Sequence, residues 1–246
     1  MGKLEGKVAL VTGGARGMGA AIAKRLAADG AAVALTYARS PQKADEVVHV
    51  IESAGGRALA IRADSADVEA VKNAVAGTVK TFGRLDILVN NAGVAALAPI
   101  DEFKLEDFDR LVAVNVKGVF VATQEAVRHM GKGGRIIMIG SINSDFKPFA
   151  GGSVYALTKG VVAGFTRGLA RDLGPRGITV NNVQPGPVDT DMNPEDGPFA
   201  AQVKGMIAIQ RYGHADEVAG LVSYLASAEA AFVSGASLKI DGGSAA

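Results

Sequence analysis

Two polar residues four positions apart, Tyr155 and Lys159, are the clearest candidates for chemistry in this sequence. They begin a stretch of helical period, Ser153–Leu173, so both side chains lie on one helix face. A phenol with a pKa of about 10 is a poor acid–base group at neutral pH unless its anion is stabilised. A lysine one turn away supplies a positive charge that stabilises that anion. On its own such a pair is weak evidence for catalysis, and its significance depends on the polar residues that accompany it.

Two further polar residues accompany this pair. Ser141 follows the apolar run Ile136–Ile139, so it lies where a buried strand ends. Asn115 interrupts the otherwise apolar helical run Leu111–Val121. Because an asparagine in the middle of a helix is usually destabilising, it indicates either a structural hydrogen bond or a held water.

A glycine-rich segment, Thr12–Gly19, joins the first apolar strand to an amphipathic helix. Gly13 suits a tight turn, Gly17 a close approach of the backbone to a pyrophosphate, and Gly19 close packing of helix and strand. The phosphates would bind at the helix N-terminus, where free N–H groups and the helix dipole favour anions. No Gly-Lys-Ser/Thr ending follows, which excludes a nucleoside triphosphate loop. A dinucleotide site is favoured over a purely structural turn.

The end of the second strand indicates which dinucleotide binds. NAD sites usually offer an acidic residue there for the ribose 2′-hydroxyl, whereas NADP sites offer arginine. Here Tyr37 is followed by Ala38, Arg39 and Ser40, with no carboxylate, and Arg16 lies in the glycine turn. These residues predict NADPH/NADP+ rather than NADH, although two solvated surface arginines are the alternative.

Seven apolar runs of strand length alternate with helical stretches, and several are continuous rather than alternating in polarity. This pattern is typical of parallel strands covered on both faces, and it predicts an α/β fold with a doubly wound sheet. The predicted strands are Val8–Thr12, Ala32–Tyr37, Ala58–Ala63, Leu85–Asn90, Arg135–Gly140, Ile178–Gln184 and Ser237–Ile240.

The helical stretches between these strands carry local start and stop signals. Gly30, Gly83 and the pair Gly55–Gly56 end helices, and Ser40 before Pro41 is predicted to cap the start of another. No linker or internal repeat divides the chain, so residues 1–246 are predicted to form one domain. The irregular segment that follows the sixth strand, with residues 189–212, is predicted to be a substrate lid.

Composition excludes several classes of protein. The 246 residues include 32 glycines but only 8 prolines, and 48% are hydrophobic, so a disordered or collagen-like chain is excluded. The net charge is +1 with no basic stripe, which argues against nucleic acid as a partner. There is no cysteine, and the three histidines are scattered, so no metal site is expected. No apolar stretch is long enough to span a membrane, so we expect a cytoplasmic protein.

The order of these motifs resembles that of the short-chain dehydrogenase/reductase family over the whole chain, in particular its carbonyl reductases related to bacterial 3-oxoacyl-carrier-protein reductases. The resemblance implies a three-layer Rossmann-type fold with a seven-stranded parallel sheet. The motifs that carry it are Thr12–Gly19, Asn90–Gly93, Asn115, Ser141, Tyr155 with Lys159, Pro185–Val188 with Thr190, and Asp241–Gly243.

The resemblance also implies a role for each catalytic residue. Tyr155 would donate a proton to a carbonyl oxygen that receives a hydride on its carbon, and Ser141 would polarise that carbonyl. Lys159 would also hold the nicotinamide ribose, and Asn115 would hold a water that connects Lys159 to solvent. A small-molecule ketone or 3-oxo compound is therefore the expected substrate.

The remaining assignments concern binding. The resemblance implies that Asp64 meets the adenine, that residues 91–93 line the adenosine side, and that Val188 and Thr190 meet the carboxamide. The complete predicted cofactor set is Gly13, Ala15, Arg16, Gly17, Met18, Gly19, Tyr37, Arg39, Ser40, Asp64, Ser65, Asn91, Ala92, Gly93, Tyr155, Lys159, Pro185, Gly186, Val188 and Thr190. The predicted substrate pocket is Ser141, Asn143, Tyr155, Gly186, Phe199 and Met206. Phe146 and Phe149 are assigned equally to this pocket and to the core.

Two departures from the family pattern leave alternatives open. Ser141 stands 14 residues before Tyr155, where 13 is commoner in the family, and Ser144 is a weaker substitute. Gln184 precedes Pro185, and with residues 139–143 it resembles a branch that includes a regulatory protein linked to cyclic di-GMP. A nucleotide-binding regulator and a sugar or polyol dehydrogenase are therefore the alternatives to a carbonyl reductase.

The family is commonly tetrameric, so a homotetramer is expected. Gly160, Gly164 and Gly168 recur every four residues along the predicted helix Ser153–Leu173. This spacing predicts a helix face that packs closely against another helix across a subunit interface.

Overall fold

The computed structural model describes residues 2–147, 149–198 and 200–246, and its centre is a parallel sheet of seven strands. The strand order is β3-β2-β1-β4-β5-β6-β7, so the direction of winding reverses between β1 and β4. The predicted α/β fold is confirmed, and each predicted strand is present with ends within two residues. The strands are β1 (Val8–Val11), β2 (Ala32–Tyr37), β3 (Arg57–Arg62), β4 (Ile87–Asn90), β5 (Arg135–Ile139), β6 (Thr179–Pro185) and β7 (Ser237–Ile240).

The central strands β1, β4, β5 and β6 are buried at every position because both faces of the sheet are covered. Along β5, Ile137 and Ile139 pack into one core, whereas Ile136 and Met138 pack into the core on the opposite face. Successive side chains of a strand point to opposite faces, so a strand with two buried faces is continuously hydrophobic.

Helices form the outer two layers. Apolar residues of α1, α2 and α8 cover one face of the sheet, and those of α3, α5 and α6 cover the other. In the described residues the helices are α1 (Gly17–Ala28), α2 (Pro41–Ser53), α3 (Val68–Phe82), α4 (Leu105–Val112), α5 (Val119–Ala126), α6 (Ser153–Leu173), α7 (Ala200–Gly205) and α8 (Ala215–Ala226). None of these helices is long and apolar enough to cross a bilayer.

The predicted helix boundaries depend on local chemistry that the structure makes explicit. α3 ends at Gly83, which has a φ of +81° and lies in the left-handed region that glycine tolerates. α2 begins at Pro41 as predicted, but the Ser40 side chain makes no capping hydrogen bond. Ser40 is therefore the N-cap residue by position only, and its hydroxyl is not used by the helix.

Between α4 and α5 the chain forms a π-helical turn, Ala113–Gly118, which the sequence analysis read as ordinary helix. Asn115 lies in the middle of this turn. Such π turns occur mostly as single turns within α-helices, and frequently at functional sites.

Candidate active site

The turn after β1 and the loop after β4 are joined where the strand order reverses, which is where open α/β sheets form a ligand crevice. The Asn91 side chain donates hydrogen bonds to the carbonyl oxygens of Thr12 and Gly13, each at 2.9 Å. The Thr12 hydroxyl accepts from the backbone N–H groups of Asn91 and Ala92, each at 3.0 Å. Asn91 therefore fixes two loops that border the crevice.

The glycine turn has the backbone geometry that its sequence predicts. Gly13 has a φ of +64° and Gly17 a φ of +52°, which are left-handed values. A Cβ atom on Gly19 would lie 2.2 Å from the Gly13 carbonyl oxygen. Gly19 was predicted to allow close packing of helix against strand, and in the first turn of α1 its Cβ position also lies 2.5 Å from the Asn91 side chain, which follows β4.

The N-terminus of α1 is open to an anion. In the described residues no side chain caps the helix at Arg16, and its first turn contains no acidic residue. The first N–H groups of the helix, around Gly17 and Met18, therefore remain free of an internal partner. With the helix dipole, they form a site that suits a phosphate.

The end of β2 presents cations rather than a carboxylate. Arg39 is exposed and Ser40 partly buried. Arg16 of the glycine turn and Lys43 of α2 each contact the same Asp191 carboxylate oxygen at 3.2 Å. Lys43 and Asp191 were not among the predicted site residues.

Asp64, predicted to meet the adenine, is already paired within the chain. Arg110 donates to both of its carboxylate oxygens at 3.1 Å, and the Ala66 N–H donates at 3.0 Å. Partial burial opposes ionisation of this carboxyl, but the bonds from Ala66 and Arg110 outweigh it and lower its pKa. Ser65, its neighbour, packs with its carbonyl against Gly118 of the π turn.

The predicted catalytic residues converge at the end of β5. Ser141 follows this strand, and its hydroxyl accepts from the Asn143 N–H at 3.1 Å. The buried Lys159 donates from Nζ to the Ile139 carbonyl oxygen at 2.8 Å. The same Nζ lies 5.7 Å from the centre of the Tyr155 ring. One strand end and one helix face thus bring the three residues together.

Burial shifts the pKa of both residues on α6. It raises the pKa of the Tyr155 phenol, and a hydrogen bond with Ser141 acts in the opposite direction. It lowers the pKa of Lys159 to about 8, because the desolvated ammonium is disfavoured. Two neighbouring titratable groups whose pKa values are shifted by burial mark this place as a candidate acid–base site.

Of the two candidate serines, Ser141 is the one that contacts Tyr155. Ser144 turns away and donates its hydroxyl to the Ser141 carbonyl oxygen at 2.9 Å.

Asn115 makes structural hydrogen bonds, which is one of the two alternatives predicted for it. Its side chain accepts from the Val94 N–H and donates to the Val94 carbonyl oxygen, both at 2.9 Å. It also donates to Thr158 at 3.2 Å. Among the described residues these bonds use both amide hydrogens and leave one lone pair of Oδ1. The Asn115 Oδ1 atom lies near Gly93 and Lys159: a Cβ on Gly93 would lie 3.6 Å from both Oδ1 and Lys159 Nζ.

The segment after β6 closes the other side of the crevice. The Gly186 N–H donates to the Ile240 carbonyl oxygen at 3.0 Å, and a Cβ on Gly186 would lie 2.6 Å from the Asp241 side chain. Val188 is buried beside Gly213. Thr190 lies over the glycine turn, with its methyl group 3.4 Å from the Cβ position of Gly17.

The predicted lid, residues 189–212, contains more regular structure than its composition indicated. It includes α7, and Ala200, Ile207 and Tyr212 form a small apolar cluster of their own. Met206 is partly buried, and Phe199 lies outside the described residues. Phe146 and Phe149 are exposed, so neither belongs to the core.

Several residues that shape the site were missed by the sequence analysis. They are polar residues on helices or in a loop, and only their contacts with residues distant in the sequence identify them as part of the site. These residues are Arg110, Thr158, Lys43 and Asp191. Within the described residues, no group of three or more His, Asp or Glu side chains is arranged to hold a metal ion.

Comparison with known proteins agrees with this geometry. A family model described as short chain dehydrogenase matches residues 7–200. The solved structure of a short chain dehydrogenase from Burkholderia cenocepacia in complex with NADP superimposes with a TM-score of 0.98 at 55% identity, covering 99% of this chain and all of that one.

Two curated relatives match along almost their whole length. One, 47% identical with 98% of both chains covered, is a cyclic-di-GMP-binding biofilm dispersal mediator protein from Escherichia coli. Another, 42% identical with 98% and 97% covered, is versicolorin reductase 1 from Aspergillus parasiticus. With the family model and the fold, these matches identify the chain as a member of the short-chain dehydrogenase/reductase family.

Proposed function

We propose that this oxidoreductase reduces a ketone or 3-oxo compound to a secondary alcohol with NADPH, and that Tyr155 is the proton donor. The observation that carries the proposal is the convergence of Ser141, Tyr155 and Lys159 at the end of β5. A protein that only bound a nucleotide would not need a phenol beside a buried lysine.

NADPH, when bound, supplies the hydride, and the chain's own residues manage the oxygen and the proton. The Ser141 hydroxyl accepts from the Asn143 N–H and bonds to Tyr155, so a carbonyl oxygen placed between Ser141 and Tyr155 would take the Ser141 hydrogen and be polarised by it. Tyr155 gives its proton to that oxygen, and the ammonium of Lys159 stabilises the phenolate that remains. Two further N–H groups of Lys159 are available to a ribose or a water.

Three features of the chain fit NADPH. The uncapped N-terminus of α1 suits a pyrophosphate, and the end of β2 lacks the carboxylate that would repel a 2′-phosphate. Arg39 and Arg16 supply positive charge near that end, and Arg39 is close enough to Asp64 to contribute to its lowered pKa. The NADP complex of the Burkholderia relative supports the same choice.

The rim of the crevice favours an apolar substrate. The loop before α6 carries Phe146 and Phe149, both exposed, and Leu97 approaches Gly152 from the loop after β4. The Ala98 N–H joins these two loops through the Gly151 carbonyl oxygen at 3.0 Å. The relative named versicolorin reductase 1 supports reduction as the direction of the reaction. We assign residues 189–212, with Met206, as the lid over it.

A panel assay tests this proposal. Ketones, 3-oxoacyl thioesters, sugars and alcohols are each incubated with NADPH, NADH and their oxidised forms, and the absorbance of the reduced nicotinamide is followed. We expect reduction of apolar ketones with NADPH in preference to NADH. Turnover confined to sugar or polyol oxidation would contradict it, as would a preference for NADH.

A regulatory role is the second candidate, because one relative at 47% identity is named for binding cyclic di-GMP. Calorimetric titration of the purified chain with cyclic di-GMP, with and without NADPH, tests it. Tight binding without any carbonyl turnover would favour the regulator, whereas turnover without binding would favour the reductase.

We also propose that the chain assembles as a homotetramer through α5 and α6. An open apolar groove of about 390 Å³ is lined by Val116 of the π turn, Phe120 of α5, and Val161 and Phe165 of α6. A Cβ on Gly164 would meet nothing within 4 Å, so the predicted glycine stripe is not packed within the chain. Sedimentation velocity tests the proposal, and a monomer or a dimer at micromolar concentration would contradict it.

A further inference from the structure

A buried amide, Gln184, links the two walls of the crevice. It is the second-last residue of β6 and directly precedes Pro185 and Gly186, and only 1% of its surface is exposed. Its Nε2 donates to the Ser144 hydroxyl at 2.5 Å and to the Asp145 carboxylate at 3.2 Å. We infer that Gln184 is a positioning residue that holds the Ser141 turn in register with the Pro185–Gly186 wall.

The direction of each hydrogen bond in this chain of contacts is determined by its acceptor. The Asp145 carboxylate can only accept, which orients the Gln184 amide with its NH₂ group toward it. Ser144 gives its hydrogen to the Ser141 carbonyl oxygen at 2.9 Å, so its oxygen is free to accept from Gln184. The links therefore run from Gln184 through Ser144 to the backbone of Ser141.

The location of these links explains why an amide is needed there. The turn after Ser141 is a single short 3₁₀ turn, Ile142–Ser144, and an exposed loop leads from it to α6. The 14-residue interval between Ser141 and Tyr155 gives this loop one residue more than the commoner family spacing, and within the turn the Ser141 hydroxyl is held by the Asn143 N–H. Gln184 supplies a buried anchor from the neighbouring strand, and a buried amide without partners would be costly.

The inference rests on the proposed reductase function and predicts a specific kinetic pattern. Loss of the anchor displaces the Ser141 hydroxyl from the carbonyl oxygen, and displacements of about 1 Å can cost about 100-fold in rate. Gln184→Met keeps the volume of the side chain and removes its donor. We expect kcat to fall about 10- to 100-fold, while the KM for NADPH stays within about twofold.

Two comparison variants separate positioning from general stability. Ser144→Ala removes the same hydrogen bond by changing its less buried partner. The kcat of the double variant, Gln184→Met with Ser144→Ala, should be no lower than that of the slower single variant. Asn181→Leu is the matched control, because Asn181 is also a buried amide of β6 but bonds to Val233 and Ala236 instead. It should lower the thermal unfolding midpoint and leave kcat of the folded enzyme unchanged.

A second readout does not depend on turnover. Ultraviolet difference titration, with Tyr155→Phe subtracted, follows the phenol of Tyr155 among only four tyrosines. Gln184→Met and Ser144→Ala should each raise the pKa of this phenol, because Ser141 no longer stabilises its anion, and Asn181→Leu should not. If wild type reduces no ketone, the proposed function fails and this titration still tests Gln184.

Two results would overturn the inference. The first is a folded Gln184→Met or Ser144→Ala variant with wild-type kcat and an unshifted phenol. The second is strict additivity of the two substitutions, which would mean that they do not act through one chain of bonds.

Discussion

The two ends of the crevice are built on different physical principles. At the chemistry end, Lys159 and Asn115 are buried and their hydrogen bonds run to defined backbone atoms. At the phosphate end, Arg16, Lys43 and Asp191 each expose at least half of their side chains, and their contacts are ion pairs. Loss of its partner destabilises a buried polar group far more than loss of an exposed ion pair destabilises the chain, because an exposed pair contributes only about 0–1 kcal/mol.

This difference indicates where the chain tolerates change. Geometry at the chemistry end is determined by the sheet and by α6, so substitutions there should act on rate and be insensitive to salt. At the phosphate end, affinity depends on the number of nearby charges, so substitutions there should be modest, additive and screened by salt. The predictions below test this contrast, starting with the largest effect.

Tyr155→Phe should cause the largest loss. It removes the proton donor but keeps the ring, so we expect kcat to fall by roughly 10²- to 10⁴-fold while NADPH still binds. Steady-state kinetics and fluorescence titration with NADPH measure the two quantities. Tyr224→Phe on α8 is the matched control and should behave as wild type. Carbonyl turnover retained in Tyr155→Phe would refute the mechanism.

The pH dependence of the rate should show the titration of the buried Lys159. Its ordinary pKa of 10.5 falls to about 8 in the folded chain. The ammonium is the active form, so kcat/KM for NADPH should fall about tenfold per pH unit above 8. Lys159→Arg, which stays charged, should remove this inflection even if its rate is lower. A profile of wild type that is flat to pH 10 would contradict the assignment.

The same pKa shift has a consequence for stability. Between pH 8 and 10.5 the unfolded chain still holds a proton on Lys159 that the folded chain has released. The free energy of unfolding contributed by this residue should therefore rise with pH in that window. Denaturant titrations of wild type and Lys159→Met across the window measure the difference.

Sequence reasoning was most accurate where a rule is local. Several of the seven strands follow from continuous apolar runs, and the turn at Gly13 follows from the need for a left-handed residue. Sequence reasoning failed where a contact joins two segments that are far apart in the sequence. The pairing of Asp64 with Arg110 spans 46 residues, and that of Arg16 with Asp191 spans 175. No local sequence pattern predicts either ion pair. The π turn at Asn115 was missed because its composition is that of an ordinary helix.

Arg39→Ala tests the phosphate end at an intermediate magnitude. It removes one of the cations proposed to contact a 2′-phosphate, so the Kd for NADPH should rise about tenfold while that for NADH stays the same. Titrations at low salt and at 0.5 M NaCl should show the difference shrinking as salt rises. Arg171→Ala, near the far end of α6, is the matched control. An equal rise in the Kd values of NADPH and NADH would mean that Arg39 does not contact the 2′-phosphate.

Asp191→Asn should have the smallest effect, and its sign is the informative part. Hydrogen bonds from Lys43 and Arg16 hold the pKa of this carboxyl below its usual range, so it is ionised at neutral pH. It therefore neutralises cations that a 2′-phosphate would otherwise meet, and removing its charge should tighten NADPH binding about two- to fivefold.

NADH binding should not change in this variant, and the gain for NADPH should disappear in high salt because all three side chains face solvent. Isothermal titration with both cofactors measures this directly. If NADPH instead binds more weakly, Asp191 orients Arg16 and Lys43 rather than competing for them. The phosphate end would then share the positioned character of the chemistry end, and the contrast between the two ends would be wrong.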